Sequence, residues 1–595
     1  MRRFWTIATA AALLVLSFPV QAQNGEETQP AARRLAHMRL SGEVLGSPPS
    51  FTLFGDGEYM TLQDWLHRLS RARRDPEVAA VAIDIDSPEM SLSQAQELAD
   101  AVVRLKEVKP VYAYLNSPKA AEHLVASGAT EIAMDEADML NIVGVGAEMF
   151  FFGKTLGKIG LQPQMVQIGR YKGAAEPVTS DEPSQYLKEQ YDWILDDLFD
   201  QLVEQISSMR RLSRDEARKA IDMGPLEANQ AVELHMVDRL CAKVDWLDRI
   251  GDGLKDEDGK YHIVANYGKK EPIAVDASNP FALLNSLLRG SKPAEAQDPT
   301  IAIIHVDGVI VPGDGGETLL GQRVVGASAI MGAFRQATED ERIKAVVFRI
   351  DSPGGSALAS EQIYNSARKC AKVKPVIASI GQVGASGGYY IAVAADSILA
   401  DPAAITGSIG VVSGKIAITE LLDKIGVGRY EATRGRNAGL WLSRPWTAEE
   451  LQVIERHANQ TYDLFVKRVK DGRGTRIGDI EAVAQGRIFT ARQAAANGLI
   501  DRIGGLREAV ALAQDAAGVE EPFFLVLPRA RSLADVLSGR EEPGPLGLPG
   551  AMALLDEPAL RLVNTSGAAY MMEIARLLQG ESVLLAMPEY LLIKQ

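Results

Sequence analysis

Cysteine is nearly missing from this 595-residue chain. Cys241 and Cys370 are too few for a disulfide framework and stand without ligand spacing, as buried or half-buried thiols do. Histidine is sparse as well. The seven (His37, His67, His123, His235, His262, His305 and His457) form no HExxH or related pattern, so no metal site is indicated. Positive charge is in deficit, 63 Lys and Arg against 78 Asp and Glu, and the formal charge of −15 argues against a general nucleic-acid binder. Long apolar runs are absent with one exception. In "MRRFWTIATAAALLVLSFPVQAQ" two arginines precede an apolar stretch from Phe4 to Val20. This is the build of an export signal cleavable after Ala22, or of an uncleaved anchor close to spanning length. Residues 23–36 read as a flexible lead-in.

What is present is a repeat. At 64.2 kDa the chain is too long for one core, and two to four domains are expected. The stretch from Asp75 to Val111 aligns without a gap against Asp340 to Val376, and with one inserted residue the alignment resumes from Ala129 against Ala395. Each copy has a β-rich run ending in Asp-Ser-Pro, then a helical segment, then Val-Lys-Pro-Val opening another strand. Strands such as "AVVFRI" and "PVIASI" are almost wholly apolar, as central strands covered on both faces are. The expectation is a tandem duplicated α/β protein: residues 1–22 the export or anchor segment, 23–36 the lead-in, 37–285 the first repeat, 286–299 a linker, 300–521 the second repeat, and 522–595 an extension of unassigned role.

The copies differ where chemistry is expected. In "QVGASGGYYIAVAAD" Ser386 lies between a strand and a helical run, where exposed N–H groups and the helix dipole stabilise developing negative charge. Gly387 offers one N–H beside the hydroxyl. The turn "DSPGGS" offers another from Gly355, with Gly354 permitting close backbone approach. Two such donors make an oxyanion hole, although each turn alone is also an ordinary glycine turn of an α/β sheet. The first copy reads "DSPEMS" and has Ala121 where the second has Ser386. Conversely Lys172, in "GRYKGAAEP", aligns with Ala438. One copy keeps a serine and the other a lysine. A Ser–Lys pair needs a neutral amine, and free lysine titrates near pH ~10.4, so burial must lower it by several units. Most lysines are solvated surface charges; the reciprocal loss is what singles out Lys172. His305, on the strand "IAIIHVDG", is the competing base.

At these residues the chain resembles the long form of the signal peptide peptidase A family, the protease IV type of Ser–Lys peptidase. "DSPGG", "GQVGASGGYY", "TGSIGV" and "GRYKGAAEP" carry the likeness, which spans most of residues 40 to 520. The resemblance implies tandem ClpP/crotonase-like domains, Ser386 as nucleophile, Lys172 as general base from the other repeat, and Ser408 holding the amine. It also implies homotetramers on the periplasmic face of the bacterial inner membrane, with residual signal peptides among the substrates. No cofactor is expected, since an amine base and amide donors suffice for acyl transfer. Gly173 and Val178 depart from the family, which commonly has Ser or Thr and an aromatic there. Two other classes stay open: a non-catalytic membrane scaffold or chaperone, and an acyl-CoA-handling enzyme of the same broad fold.

Overall fold

The computed structural model describes residues 34–49, 51–52, 59–255, 259–269, 296–317, 323–529, 531–532, 584–586 and 592–594. The export or anchor segment and residues 286–295 of the linker lie outside the described residues.

Each repeat builds a sheet of mainly parallel strands, the second closed at one edge by Ile488–Thr490 antiparallel to Ile405–Gly407. The first runs in the order Arg239–Leu240, Glu131–Met134, Val111–Asn116, Val78–Glu89, Arg34–Glu43, His262–Val264. The second has Val376–Ala385, Ile343–Ser352, Thr300–Asp307 and Phe523–Leu527 as parallel neighbours, with Ser397–Ala400 and Ile405–Gly407 beside Val376–Ala385. The aligned sequences occupy equivalent strands. Buried Val, Ile and Ala on Val78–Glu89 and Ile343–Ser352 explain why both runs are apolar without alternation: helices cover both faces.

The crossover helices start where the sequence supplies caps. Ser91 caps Leu92–Lys106 in a reciprocal box with Gln94, and Ser356 caps Ala357–Ala371 by accepting from the Ala359 amide. Each repeat also carries one 26-residue helix, Gln185–Arg210 and Ala448–Arg473. The tandem α/β class expected from the sequence is the class observed.

Two strands of the main sheets reach beyond the bounds that the sequence suggests for the repeats. Arg34–Glu43 starts inside the expected lead-in, and Phe523–Leu527, within the expected extension, pairs with Thr300–Asp307. Their partners are remote in sequence, so neither has a local turn to announce it.

The repeats are not beads on a string. Ala385, Ala403, Ile405 and Ile488 of the second share one apolar core with the first. A further mixed sheet joins them: Gln162–Ile168 of the first repeat lies antiparallel to Val411–Ala417 of the second, from Ile168 opposite Val411 to Gln162 opposite Ala417. That pairing decides where Lys172 goes.

Candidate active site

Strand Val376–Ala385 delivers Ser386 to the head of helix Gly387–Ala392 through a sharp turn with φ +53° and ψ −114° at the serine itself. A non-glycine residue held at positive φ is strained, and such strain concentrates at functional sites. The turn is pinned on both sides. The Ser386 amide donates to the Gly407 carbonyl at 2.8 Å, and the Tyr390 amide donates to the Ser386 carbonyl at 2.8 Å.

The "DSPGGS" turn stands against this elbow. Gly354 and Gly355 have φ of +114° and +149°, and a methyl group on Gly355 would collide with the Ile310 carbonyl, so glycine is required there. The two glycine loops touch: a methyl group on Gly387 would lie 3.0 Å from Gly354 Cα and 3.2 Å from the Gly355 nitrogen. Both amides read from the sequence as oxyanion donors are therefore neighbours beside Ser386.

Lys172 arrives from the first repeat. Past Ile168 the chain turns at Gly169 (φ +110°), the Tyr171 amide donates to the Gln485 carbonyl at 2.9 Å, and the lysine side chain enters the interior. Only 1% of Lys172 is exposed. Its Nζ is 2.7 Å from Ser386 Oγ, 214 positions away, 2.9 Å from Ser408 Oγ and 3.0 Å from the Ser408 carbonyl oxygen. Burial holds the amine well below the pKa of free lysine. A neutral amine has two N–H donors and one lone pair. Two acceptors on Ser408 and one hydroxyl donor on Ser386 saturate it. Ser408, at φ +52°, is held by its amide donating to the Arg487 carbonyl at 2.7 Å.

Ser386, Lys172, Ser408, Gly355 and Gly387 are thus brought together. His305 is not. It is buried on its own strand, its pKa pushed down to about 3 by burial and by Arg349 and Arg323, and no hydrogen bond joins it to Ser386. Sequence reasoning missed the residues that seat the lysine. A methyl group on Gly486 would come within 2.6 Å of the Lys172 backbone nitrogen, and one on Gly410 within 3.1 Å of Lys172 Cδ. Arg487 stacks 4.1 Å over the Tyr171 ring and donates to its hydroxyl. A glycine's closeness to a residue some three hundred positions away leaves no local trace.

Comparison with known proteins gives the family. The profile of Peptidase family S49 matches twice, at residues 103–255 and 368–520, together just over half of the chain. The chain belongs to peptidase family S49. It is a serine peptidase with an internal duplication, and its substrates are peptides.

This S49 peptidase is 29% identical to the chloroplastic serine protease SPPA of Arabidopsis thaliana over 527 residues, covering 87% of this chain and 75% of the relative. It is 28% identical to Protease 4 of Haemophilus influenzae (75% of this chain, 71% of the relative) and 26% identical to Protease 4 of Salmonella typhi (84% and 81%). Among solved structures, a membrane-bound stomatin-specific protease matches with a TM-score of 0.24 at 12% identity, over 39% of this chain and 99% of the other.

Proposed function

We propose that this S49 peptidase is an endopeptidase of apolar peptides, residual signal peptides among them, working through a Ser386–Lys172 dyad. The observation that carries the reading is the 2.7 Å approach of a buried amine to the hydroxyl of a strained serine, across the two repeats. The steps follow from the geometry. The Ser386 hydroxyl gives its proton to the neutral Lys172 amine as Oγ attacks the peptide carbonyl carbon. The carbonyl oxygen becomes an oxyanion facing the Gly355 and Gly387 amides. The Lys172 ammonium then protonates the leaving nitrogen, the C–N bond breaks, and an ester on Ser386 remains. Water attacks the ester with Lys172 again taking the proton, and the acid leaves as the proton returns to Ser386. Ser408 holds the amine through its carbonyl and hydroxyl oxygens, so its loss loosens the base without deleting it.

The export segment and the family resemblance support a site of action on the periplasmic face of the inner membrane, and the resemblance supports a homotetramer. Membrane fractionation and solution mass measurement test these two points. The scaffold reading gives no reason for a buried lysine on a strained serine, and the acyl-CoA reading needs neither residue.

The decisive experiment is a pH profile of kcat/KM for wild type, K172A, K172R and S386A on an apolar peptide. The wild-type rate should rise with pH through the depressed lysine pKa. K172A should lose nearly all activity, and K172R should not recover it because a guanidinium stays protonated. Near-wild-type turnover by K172R would remove Lys172 from the mechanism.

A further inference from the structure

The joining sheet contains a strand from the far end of the chain. Leu584–Ala586 lies between Gly354–Ser356 and Val411–Ala417. It is antiparallel to both, with Ala586 opposite Gly354, Leu585 opposite Gly355 and Leu584 opposite Ser356 on one side, and Leu584 opposite Val412 on the other. Without it, those two strands would face each other across a slot one strand wide, with open backbone edges on both sides.

The slot runs past the catalytic centre. One wall carries the Gly355 amide, against the loop of Ser386 and Gly387, and the other wall begins three residues after Ser408. An extended peptide in such a slot pairs its backbone on both sides, the recognition mode of strand addition. Leu584–Ala586 is placed as such a peptide would be, with its C-terminal end directed toward Gly354. The sequence "VLLAMP", Val583 to Pro588, is also of the chemistry proposed for substrates: apolar, with a small residue at Ala586.

A second pairing anchors the same tail. Leu592–Lys594 is antiparallel to Gly146–Glu148, which the repeat alignment makes the counterpart of residues 412–414. The tail therefore meets the equivalent strand of both repeats.

We propose that residues 584–586 are a tethered ligand of the peptide-binding slot, so that the chain competes with its own substrates. This rests on the reading of Ser386, Lys172 and the glycine amides as a peptidase site. Tethering makes occupancy intramolecular, so the strand competes without having to be bound from solution. A free peptide must displace the strand before it reaches Ser386.

The test uses the full-length chain in a Ser386→Ala background, so that self-cleavage cannot remove the tail. A fluorescent peptide of sequence ESVLLAMPEY is titrated by anisotropy into S386A and into S386A with Leu585→Pro or with Leu584→Asp. Proline removes the N–H and breaks strand pairing, while aspartate places a charge on the strand. Both double variants should bind the peptide about tenfold more tightly than S386A alone, as release from a tethered competitor requires. Equal affinity in all three proteins, or binding to none, overturns the proposal. Hydrolysis of an external peptide by the Ser386-bearing protein judges the peptidase reading separately. A protein that cleaves but shows no gain on tail substitution keeps its mechanism and loses its tethered ligand.

Discussion

A lysine amine shut away from water destabilises the folded chain whenever it must be charged, and Lys172 has no ion pair among the described residues. The sign of the resulting pH dependence is fixed. Between the depressed folded pKa and the free value near ~10.4, unfolding takes up a proton, so stability rises with pH across that window and the penalty is largest below it. Replacing Lys172 with methionine, of similar length and no charge, should therefore abolish peptide hydrolysis yet leave the protein at least as stable as wild type near pH ~7. The stability gap should narrow as pH climbs toward ~10. Denaturant titrations of both proteins at several pH values check this. A gap that widens with pH would mean that the amine is charged in the folded state. The same residue shows what the sequence could carry: the reciprocal exchange of Ser386 for Ala121 and Lys172 for Ala438 pointed to a pair, because loss of one partner in each copy is visible in an alignment. The distance between them is not.

At the scale of elements, the site depends on one cross-repeat strand pair and the loop that receives it. Gln162–Ile168 aligns on Val411–Ala417, and residues 485–487 close over the lysine backbone. Gly486, at φ +78°, leaves no room for a side chain: a methyl group would lie 2.6 to 2.7 Å from Lys172 Cβ, N and Cα. Gly486→Ala should displace Lys172 from Ser386 and lower kcat by ~10²-fold or more, the scale expected when a catalytic group is misplaced by about an ångström. KM should change little, because the peptide slot is built from other strands. Circular dichroism should stay near wild type; unchanged kcat would show that the loop tolerates the methyl group and does not position the lysine. These elements were only partly legible. Central strands announce themselves by unbroken apolar runs, and helix Ala357–Ala371 by its serine cap. The joining sheet does not, since four of its seven described strands, at residues 162–168, 354–356, 411–417 and 584–586, owe their existence to partners far away. Phe523–Leu527 escaped for the same reason: an edge strand with exposed phenylalanines reads like a tail until Thr300–Asp307 is beside it.

Across the whole molecule, the contact between Lys172 and Ser386 requires the two repeats to stay locked, and a buried charge cluster lies on their seam. Arg349 of the second repeat is 2.7 Å from Glu97 of the first and 3.0 Å from Asp401, and it donates to Ser379 Oγ at 2.9 Å. Glu97 also accepts from the Leu506 amide at 2.7 Å. Asp351, 3.8 Å from Arg349, accepts from the amides of Gln382 and Val383 near the end of the strand that delivers Ser386. Burial would lower the Arg349 pKa, but Glu97, Asp401 and Asp351 outweigh it and raise it. Burial and the neighbouring carboxylates raise Asp401, and burial above all raises Asp351 to about 6. Such a cluster is a weak source of net stability, yet removing its one cation leaves uncompensated buried carboxylates. Arg349→Met should cost about 3–5 kcal/mol near pH ~8. The loss should shrink toward pH ~5, because carboxylates with raised folded pKa values contribute stability fully below their unfolded value and lose it as pH rises through the folded one. Activity should fall in parallel, since any slippage at the seam carries Lys172 away from Ser386. Chemical denaturation and kcat/KM, measured on R349M and wild type at both pH values, check the two together. An equal stability loss at pH ~5 and ~8 would show that the carboxylates are not titrating there, and full activity in a destabilised R349M would show that the seam does not set the dyad distance.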